Sequence, residues 1–166
     1  MQPAPAAPLP TASKIWPPIW FGAVSNGIYR SAYPTLSTYS FLERKQFKTL
    51  IALMSVDPSS DLAANASKQG VKLLSFDVGS IHDSVVQLDQ QKVSAAINAA
   101  LNPENHPVLM FCLNGRIKTS YIVGCLRRLQ DWSMAAIQEE FELFCKTEGV
   151  VFTPPDFDFI ENFQGP

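Results

Sequence analysis

The sequence predicts a single α/β domain with a mostly parallel central sheet and helices on both faces. Short apolar segments of strand length alternate along the chain with longer segments whose apolar residues recur at helical spacing. This alternation indicates βαβ units, and their right-handed crossovers place helices on both faces of one sheet. The 166 residues suit one domain with a sizeable core.

The N-terminal segment differs in composition from the rest of the chain. Residues 1–18, "MQPAPAAPLPTASKIWPP", are rich in Pro and Ala and lack the continuous apolar stretch of a signal peptide. We therefore expect a flexible tail over 1–18 and a folded domain over 19–166. A PxxP ligand motif at residues 5–8 is the weaker interpretation of the same segment.

Four segments have the length and composition of strands. Continuous apolar strands are typical of sheets covered on both faces, and the fourth segment has the character expected of a central strand. The segments are "GIYRS" (27–31), "KTLIALM" (48–54), "VKLLSF" (71–76) and "PVLMF" (107–111).

Helices are predicted between and after these strands. The segment 59–70 has a Ser or Asp cap and ends at Gly70, whereas "DVGSIHDSVVQL" (77–88) is predicted to be a polar loop. The helical segments are 37–47 with Ser37 as a possible cap, 59–70, 89–101, a helix beginning near Thr119, 133–145, and a last helix opened by Pro154 and Pro155.

A chemically suggestive turn follows the strand "PVLMF". Cys112 ends the strand and the turn leads into the helix near Thr119. Backbone N–H groups of such a turn converge on one point, and the helix dipole adds positive potential, so the turn suits an anion, above all phosphate. The same field favours a nucleophilic thiolate at the strand end. The candidate phosphate-binding residues are Leu113, Asn114, Gly115, Arg116, Ile117 and Lys118.

Other interpretations of this turn and of the thiols are less well supported. A nucleotide-binding P-loop requires glycine directly before the lysine, and Ile117 precedes Lys118 here. A simple buried thiol is the structural alternative, because free Cys often behaves as a small apolar residue. We expect no metal and no cofactor, since the three Cys and two His lack zinc-ligand spacing.

Charge and cysteine usage restrict the partners and the compartment. The formal net charge of −2 gives no general attraction to nucleic acid or to an anionic membrane. No apolar run reaches the length of a membrane span. An odd number of scattered thiols fits a reducing compartment, so we expect a cytoplasmic protein.

The turn resembles the signature loop of cysteine-dependent phosphatases, in which Cys is followed by five residues, then Arg and Ser or Thr. In particular, the chain resembles the plant and fungal atypical dual-specificity phosphatases, which include inositol pyrophosphate phosphatases and oxidant-induced cell-cycle arrest proteins. The resemblance covers about residues 20–163 and implies a dual-specificity phosphatase fold. Its segments are "FGAVSNGIYRSAYPTLSTYSFLERKQFKTLIAL", "NHPVLMFC", "YIVGCLRRLQDWS" and "EEFELF".

The resemblance implies roles for the loop positions and shows three departures from the family pattern, one of which is Ser120 where a small residue, often Gly, usually follows the hydroxyl. Cys112 takes the place of the nucleophile and Thr119 that of the loop hydroxyl. Lys118 stands where the family has its loop Arg, and Phe111 where a His precedes the nucleophile. Lysine keeps the charge but loses the bidentate grip of a guanidinium on phosphate oxygens, so we expect weak or absent turnover. The backbone cradle is retained.

The resemblance also implies a general acid from a loop over the site, for which Asp83 is the first candidate and Asp77 the second. We interpret Arg30 of "YRS" as structural. The sequence favours a phosphate-binding pseudophosphatase or regulatory subunit, with a slow phosphatase acting through a phospho-cysteine intermediate as the alternative. Expected ligands are inositol pyrophosphate, a phosphopeptide or phosphate, and hetero-complexes with related family members are implied by resemblance alone.

Overall fold

The strand "PVLMF" forms the centre of the fold. The computed structural model describes residues 14–82, 85–145 and 152–165. Its main sheet has five strands in the order β1 (Gly22–Ser25), β2 (Ile28–Ala32), β7 (Val108–Cys112), β3 (Thr49–Ala52) and β4 (Lys72–Ser75). Every residue of β7 is buried, as expected for an uninterrupted apolar strand with neighbours on both sides.

The pairing of the strands confirms the predicted sheet. Strand β7 runs parallel to β2 and to β3, and β3 runs parallel to β4. Only β1 is antiparallel to its neighbour within this sheet, so the sheet is mostly parallel. Because parallel strands end at a common edge, the chain that follows β7 lies beside the chain that follows β2 and β3.

Helices cover both faces of the sheet, as the alternation of segments predicted. One face carries α1 (Tyr39–Lys45) and α2 (Ser60–Lys68), which pack on the apolar side chains of Leu50 and Leu109. The opposite face carries α3 (Gln90–Leu101), α4 (Ile117–Leu129), α5 (Met134–Cys145) and α6 (Asp158–Glu161). Successive strand residues point to opposite faces, so Met110 and Phe111 belong to different halves of the core.

The helix ends agree with the sequence at α2 and differ at other starts: the segment 154–157, predicted to open the last helix, is a 3-10 turn, and α6 begins after it. Ser59 caps α2 by accepting a hydrogen bond from Leu62 N, and Gly70 follows that helix with a φ of 67°. The prediction of Ser37 as the cap of the first helix is wrong. A 3-10 turn over Leu36–Thr38 precedes α1, and Thr38 becomes the residue before the helix.

The segment 77–88 is not the polar loop that the sequence predicted. It contains β5 (Gly79–His82) and β6 (Val85–Leu88), which pair antiparallel as a separate two-stranded sheet. Its polar composition reflects a half-exposed position: Val78 is buried in the core, and Ile81, Val86 and Leu88 are partly buried against it. The expected PxxP motif and most of the expected tail lie outside the described residues.

Candidate active site

The thiol of Cys112 lies where the central strand ends and a cavity begins. Cys112 is the last residue of β7 and is paired with Ala32 on β2. Its side chain is only 4% exposed, yet it lines a cavity of about 530 Å³. Thr119 Oγ1 donates a hydrogen bond of 3.0 Å to Cys112 Sγ. The thiol is therefore turned toward the loop and the following helix, and is not sealed in the core away from them.

The turn after Cys112 leads into α4 without a gap. The helix begins at Ile117, two positions before the expected start near Thr119, and Ser120 N donates to Arg116 O at 2.8 Å. The N–H groups at the start of a helix have no acceptor within that helix. Gly115 has a φ of 68°, and a Cβ there would overlap the backbone of Ser31 and Ala32. Glycine at this position lets the turn lie directly against β2.

Asn114 occupies the centre of the turn with its side chain. Its Oδ1 accepts a hydrogen bond of 3.0 Å from Arg116 N and one of 3.5 Å from Cys112 Sγ. The Arg116 N–H and the thiol are therefore both hydrogen-bonded within the turn itself.

The two loop cations, which the sequence placed together in the anion site, are separated in the structure. The Arg116 guanidinium donates to Phe144 O at 3.0 Å and to Cys145 O at 2.8 Å. These carbonyls belong to the last turn of α5, whose partial negative charge attracts a cation. Lys118, by contrast, lines the cavity with Cys112. Among the described residues, Lys118 is thus the Lys or Arg side chain that brings positive charge to the cavity.

Arg30 on β2 contacts the turn directly. The sequence alone indicates a structural role for this residue and gives no sign of its contact with the site. Its Nη2 donates to Gly115 O at 3.1 Å, to Arg116 O at 3.4 Å and to Ser120 Oγ at 2.7 Å. The guanidinium carbon lies 3.7 Å from the centroid of the Phe144 ring. The only sequence signal for this role is the position of Arg30 in "YRS", on the strand beside Cys112.

Burial makes Arg30 an unusual cation. Its side chain is 1% exposed, and Nε and Nη1 have no hydrogen-bond acceptor within the described part of the chain. Desolvation lowers the pKa of Arg30 to about 10, an effect that the nearby Cys145 and Glu140 partly offset. Arg30 thus still carries its charge at neutral pH. A positive charge beneath the turn fits a site for anions.

The wall opposite the turn comes from β5 and β6. Asp77 and His82 line the cavity there, and Asp77 Oδ1 accepts a hydrogen bond from Gly79 N at 3.3 Å. Asp83, the first candidate for the general acid, lies outside the described residues. Asp77 is therefore the candidate acid that can be placed at the cavity.

Phe111 lies on the other face of the sheet from the cavity. Its ring is fully buried and meets the ring of Tyr33 edge to face at a centroid distance of 5.5 Å. A histidine at this position can hydrogen-bond to the neighbouring loop, whereas phenylalanine offers no donor. Phe111 therefore cannot donate a side-chain hydrogen bond to the turn, and it does not line the cavity.

Metal-binding clusters and membrane-spanning helices are both absent from the described residues. These residues contain no group of three His, Cys, Asp or Glu side chains placed to hold a metal ion. They also contain no helix that is long and apolar enough to cross a membrane.

A cysteine at the end of a central parallel strand, followed by a tight turn and the N-terminus of a helix, defines the cysteine-dependent phosphatase class. Comparison with known proteins agrees. The model of a family described as "Tyrosine phosphatase family" matches residues 15–166, and the chain belongs to this family. The atypical dual-specificity and inositol pyrophosphate phosphatase resemblance inferred from the sequence is thereby confirmed.

Named relatives and a solved structure support the same assignment. The chain is 34% identical over 128 residues to "Probable tyrosine-protein phosphatase DG1060" of Dictyostelium discoideum, which covers 77% of each chain. It is 30% identical over 148 residues to "Inositol diphosphatase DSP5" of Arabidopsis thaliana, covering 89% of this chain and 71% of that one. The core catalytic domain of the PP-IP phosphatase SIW14 from S. cerevisiae, in complex with citrate, superposes with a TM-score of 0.80 at 29% identity, covering 90% of this chain and 88% of that chain.

Proposed function

We propose that this chain is a phosphate-binding pseudophosphatase or regulatory subunit, which binds phosphorylated ligands at the 112–118 turn without turning them over through Cys112. The observation that carries the proposal is Lys118, the cavity-lining residue at the position of the loop arginine. A lysine is a point charge, whereas arginine grips two phosphoryl oxygens with a planar fork.

Without the guanidinium fork, the rate of the chemical step falls. Phosphoryl transfer depends mainly on positioning and on stabilising charge as it develops, with little covalent work for the protein. Loss of one such donor costs roughly 100- to 1,000-fold in other enzymes. The Asn114 side chain adds to this effect, because its oxygen competes with the ligand for Arg116 N–H. Binding survives in this proposal because the start of α4 and the charge of Lys118 are retained.

A second function is favoured by a specific contact. The Thr119 hydroxyl donates to the thiol at 3.0 Å, an arrangement that suits a nucleophile. In a slow phosphatase, the Cys112 thiolate would attack phosphorus, the ester oxygen would leave with a proton from Asp83 or Asp77, and water would then release phosphate from the phospho-cysteine. The activities after which the relatives are named, inositol diphosphatase and tyrosine-protein phosphatase, agree with this alternative.

Phosphate release distinguishes the two functions. We expect the natural chain to release little phosphate from an inositol pyrophosphate or from an aryl phosphate, and Cys112→Ser to change this little. Calorimetry with tungstate should still show binding at the turn. Robust release that Cys112→Ser abolishes would establish the slow phosphatase instead.

The regulatory part of the proposal includes hetero-complexes with related family members in the cytoplasm. Three cysteines that form no disulfide are the support for that compartment. Affinity capture of the tagged chain from its own cells, with mass spectrometry, tests the association. Recovery of the chain without any family member would argue against it.

A further inference from the structure

A cluster of exposed cations lies at the edge of the sheet opposite the cavity. The cavity opens where β3 and β7 end, whereas the cluster is formed by the ends of α1 and α2 and by the residues that begin β3 and β4. The chain as a whole has a formal net charge of −2, so this positive region is local. We call it the basic edge, and its members are Arg44, Lys45, Lys48, Lys68 and Lys72.

Hydrogen bonds hold the segments of the basic edge side by side. Lys72 N donates to Lys48 O at 2.9 Å, which places the starts of β3 and β4 next to each other. Gln69 Nε2 donates to Glu43 Oε1 at 3.1 Å and joins the end of α2 to the end of α1. Four segments that are separate in the chain therefore bring their cations to one end of the molecule.

The cations of the basic edge have no carboxylate partners. Within the described part of the chain, none of the five forms an ion pair, and the ion pair of Arg127 with Glu140 lies elsewhere. Glu43 and Glu104 lie on neighbouring segments, but neither is within ion-pair distance of a cation. The positive charge of this region is therefore not neutralised by the chain itself.

Helix dipoles account for part of this arrangement only. A cation in the last turn of a helix interacts favourably with the dipole, which explains Arg44 and Lys45 on α1 and Lys68 on α2. Lys48 and Lys72 lie at the starts of strands, where no such dipole acts. Like charges that gather without counter-charges repel one another, so a bound anionic group would stabilise the region.

Lys45 is held in a defined position by aromatic rings. Its Nζ lies 5.8 Å from the ring centroid of Phe21, 5.7 Å from that of Tyr29 and 5.9 Å from that of Phe41. Attraction between the ammonium group and the faces of the rings restricts the freedom of a side chain that is otherwise mobile. A cation that is already ordered loses less entropy when it binds an anion.

The surroundings of the basic edge indicate the kind of anion. Among the described residues, the large apolar side chains that are exposed lie outside α1, α2, β3 and β4. Peripheral binding to a membrane normally combines cations with apolar side chains that enter the lipid, and these are missing here. Long polyanions such as nucleic acid also meet the negative net charge of the rest of the chain. A short acidic polypeptide requires neither lipid-inserting side chains nor a positive protein.

We propose that the basic edge is a docking surface for an acidic segment of a partner protein, which it binds through Asp and Glu side chains. The surface and the phosphate-binding turn lie at opposite ends of the parallel strands, so the two ligands bind independently. The proposal therefore goes beyond the proposed function and does not require that the cavity binds phosphate.

Fluorescence anisotropy with a labelled decaglutamate peptide tests this surface on the full chain at neutral pH. We expect binding at low salt that weakens as salt is added, because screening acts on exposed charges. Saturating tungstate should not displace the peptide, since the turn is at the other end of the strands. Displacement by tungstate would place the peptide at the turn and overturn the proposal.

Two matched double variants locate the bound peptide. Arg44→Gln with Lys68→Gln should weaken peptide binding roughly fivefold, as expected for the loss of two exposed ion pairs. Lys92→Gln with Arg128→Gln removes the same charge from exposed positions on α3 and α4 and should leave the affinity unchanged. Tungstate affinity should be the same in both. Equal weakening of peptide binding in the two double variants would overturn the proposal, because net charge would then explain the effect.

Other anionic partners give distinct results. A short DNA duplex and vesicles of phosphatidylcholine and phosphatidylserine in equal parts should bind more weakly than the peptide. Tighter binding of either one would assign the basic edge to nucleic acid or to a membrane and overturn the proposal. Failure of the peptide to bind at low salt while tungstate binds refutes the docking surface alone. Peptide binding without tungstate binding supports the docking surface and refutes phosphate binding at the turn.

Discussion

Lys118 stands where the family pattern has an arginine, and this single-residue difference has a measurable consequence. Lys118→Arg should raise the hydrolysis of an aryl phosphate with a good leaving group roughly ten- to hundredfold, because a guanidinium fork stabilises the charge that develops on the phosphoryl oxygens. The gain should appear in kcat more than in KM, since the backbone already supplies ground-state binding. Lys118→Ala should change the rate little.

The matched control for this change is Lys68→Arg, an exposed position at the end of α2. It should leave the rate of the natural chain unchanged. If Lys118→Arg shows no gain although tungstate still binds, the deficit lies elsewhere in the site. Adding Phe111→His then tests the polar support that the phenylalanine removes, and the two effects need not add because both act on one turn.

Asn114 permits a second test at the residue scale. Asn114→Ala should strengthen tungstate binding several-fold, because the Arg116 N–H and the thiol lose their internal acceptor, and one hydrogen bond is worth about 1 kcal/mol. Titration calorimetry measures the change. Asn98→Ala, at an exposed site on α3, is the control and should bind as the natural chain does. Weaker binding in Asn114→Ala would show that the side chain orders the turn more than it competes with the ligand.

Among the elements, strand β2 supports the site through Arg30, which donates hydrogen bonds to the turn. Arg30→Met should lower the free energy of unfolding by roughly 1–3 kcal/mol, because two loop carbonyls lose a donor. Relief of two unpartnered donors offsets part of the loss. Tungstate affinity should fall roughly tenfold, as expected when a charge-assisted hydrogen bond of about 1.5 kcal/mol no longer orders the turn.

Urea denaturation and calorimetry check the two effects of Arg30→Met separately. Arg44→Met, in the last turn of α1 and exposed, is the control for loss of one positive charge. Reduced stability with unchanged tungstate affinity would make Arg30 a purely structural residue, as the sequence alone suggested. Reduced affinity in the control as well would assign the effect to general charge.

The elements that sequence predicted correctly are those whose own composition decides their position. "PVLMF" is apolar at every residue, so only a central position buries it on both faces. The hairpin of β5 and β6 escaped prediction because its residues are exposed or only partly buried and Gly79, with a φ of 105°, interrupts the alternation. The direction of Arg116 was equally hidden, since its partners on α5 are 28 and 29 residues away in the chain.

At the scale of the whole molecule, the three thiols lie in different environments. Cys112 faces the cavity, whereas Cys125 and Cys145 are 0% and 2% exposed within the packing of α4 and α5. Burial raises the pKa of both Cys125 and Cys145, so they stay protonated and unreactive. We expect iodoacetamide to label Cys112 first in the native chain, and mass spectrometry identifies the labelled residue.

Two further conditions serve as controls for the labelling experiment. In concentrated urea all three thiols should react, because unfolding exposes them equally. Tungstate added to the native chain should slow the labelling of Cys112, because the anion covers the turn. Labelling of Cys125 in the native chain at the same rate as Cys112 would contradict the packing of α4 against the sheet.

The separate hairpin has a consequence for the dimensions of the site. One wall of the cavity is built on β7, which is held by backbone ladders on both sides, while the other is a two-stranded sheet that shares no ladder with the main one among the described residues. Among the described residues, no backbone ladder between the two sheets sets the gap between the walls. The cavity can therefore bind ligands of different widths without breaking a backbone hydrogen bond of the main sheet. Amides of Ile81 and Val86 should exchange with deuterium sooner than those of Leu109 and Met110.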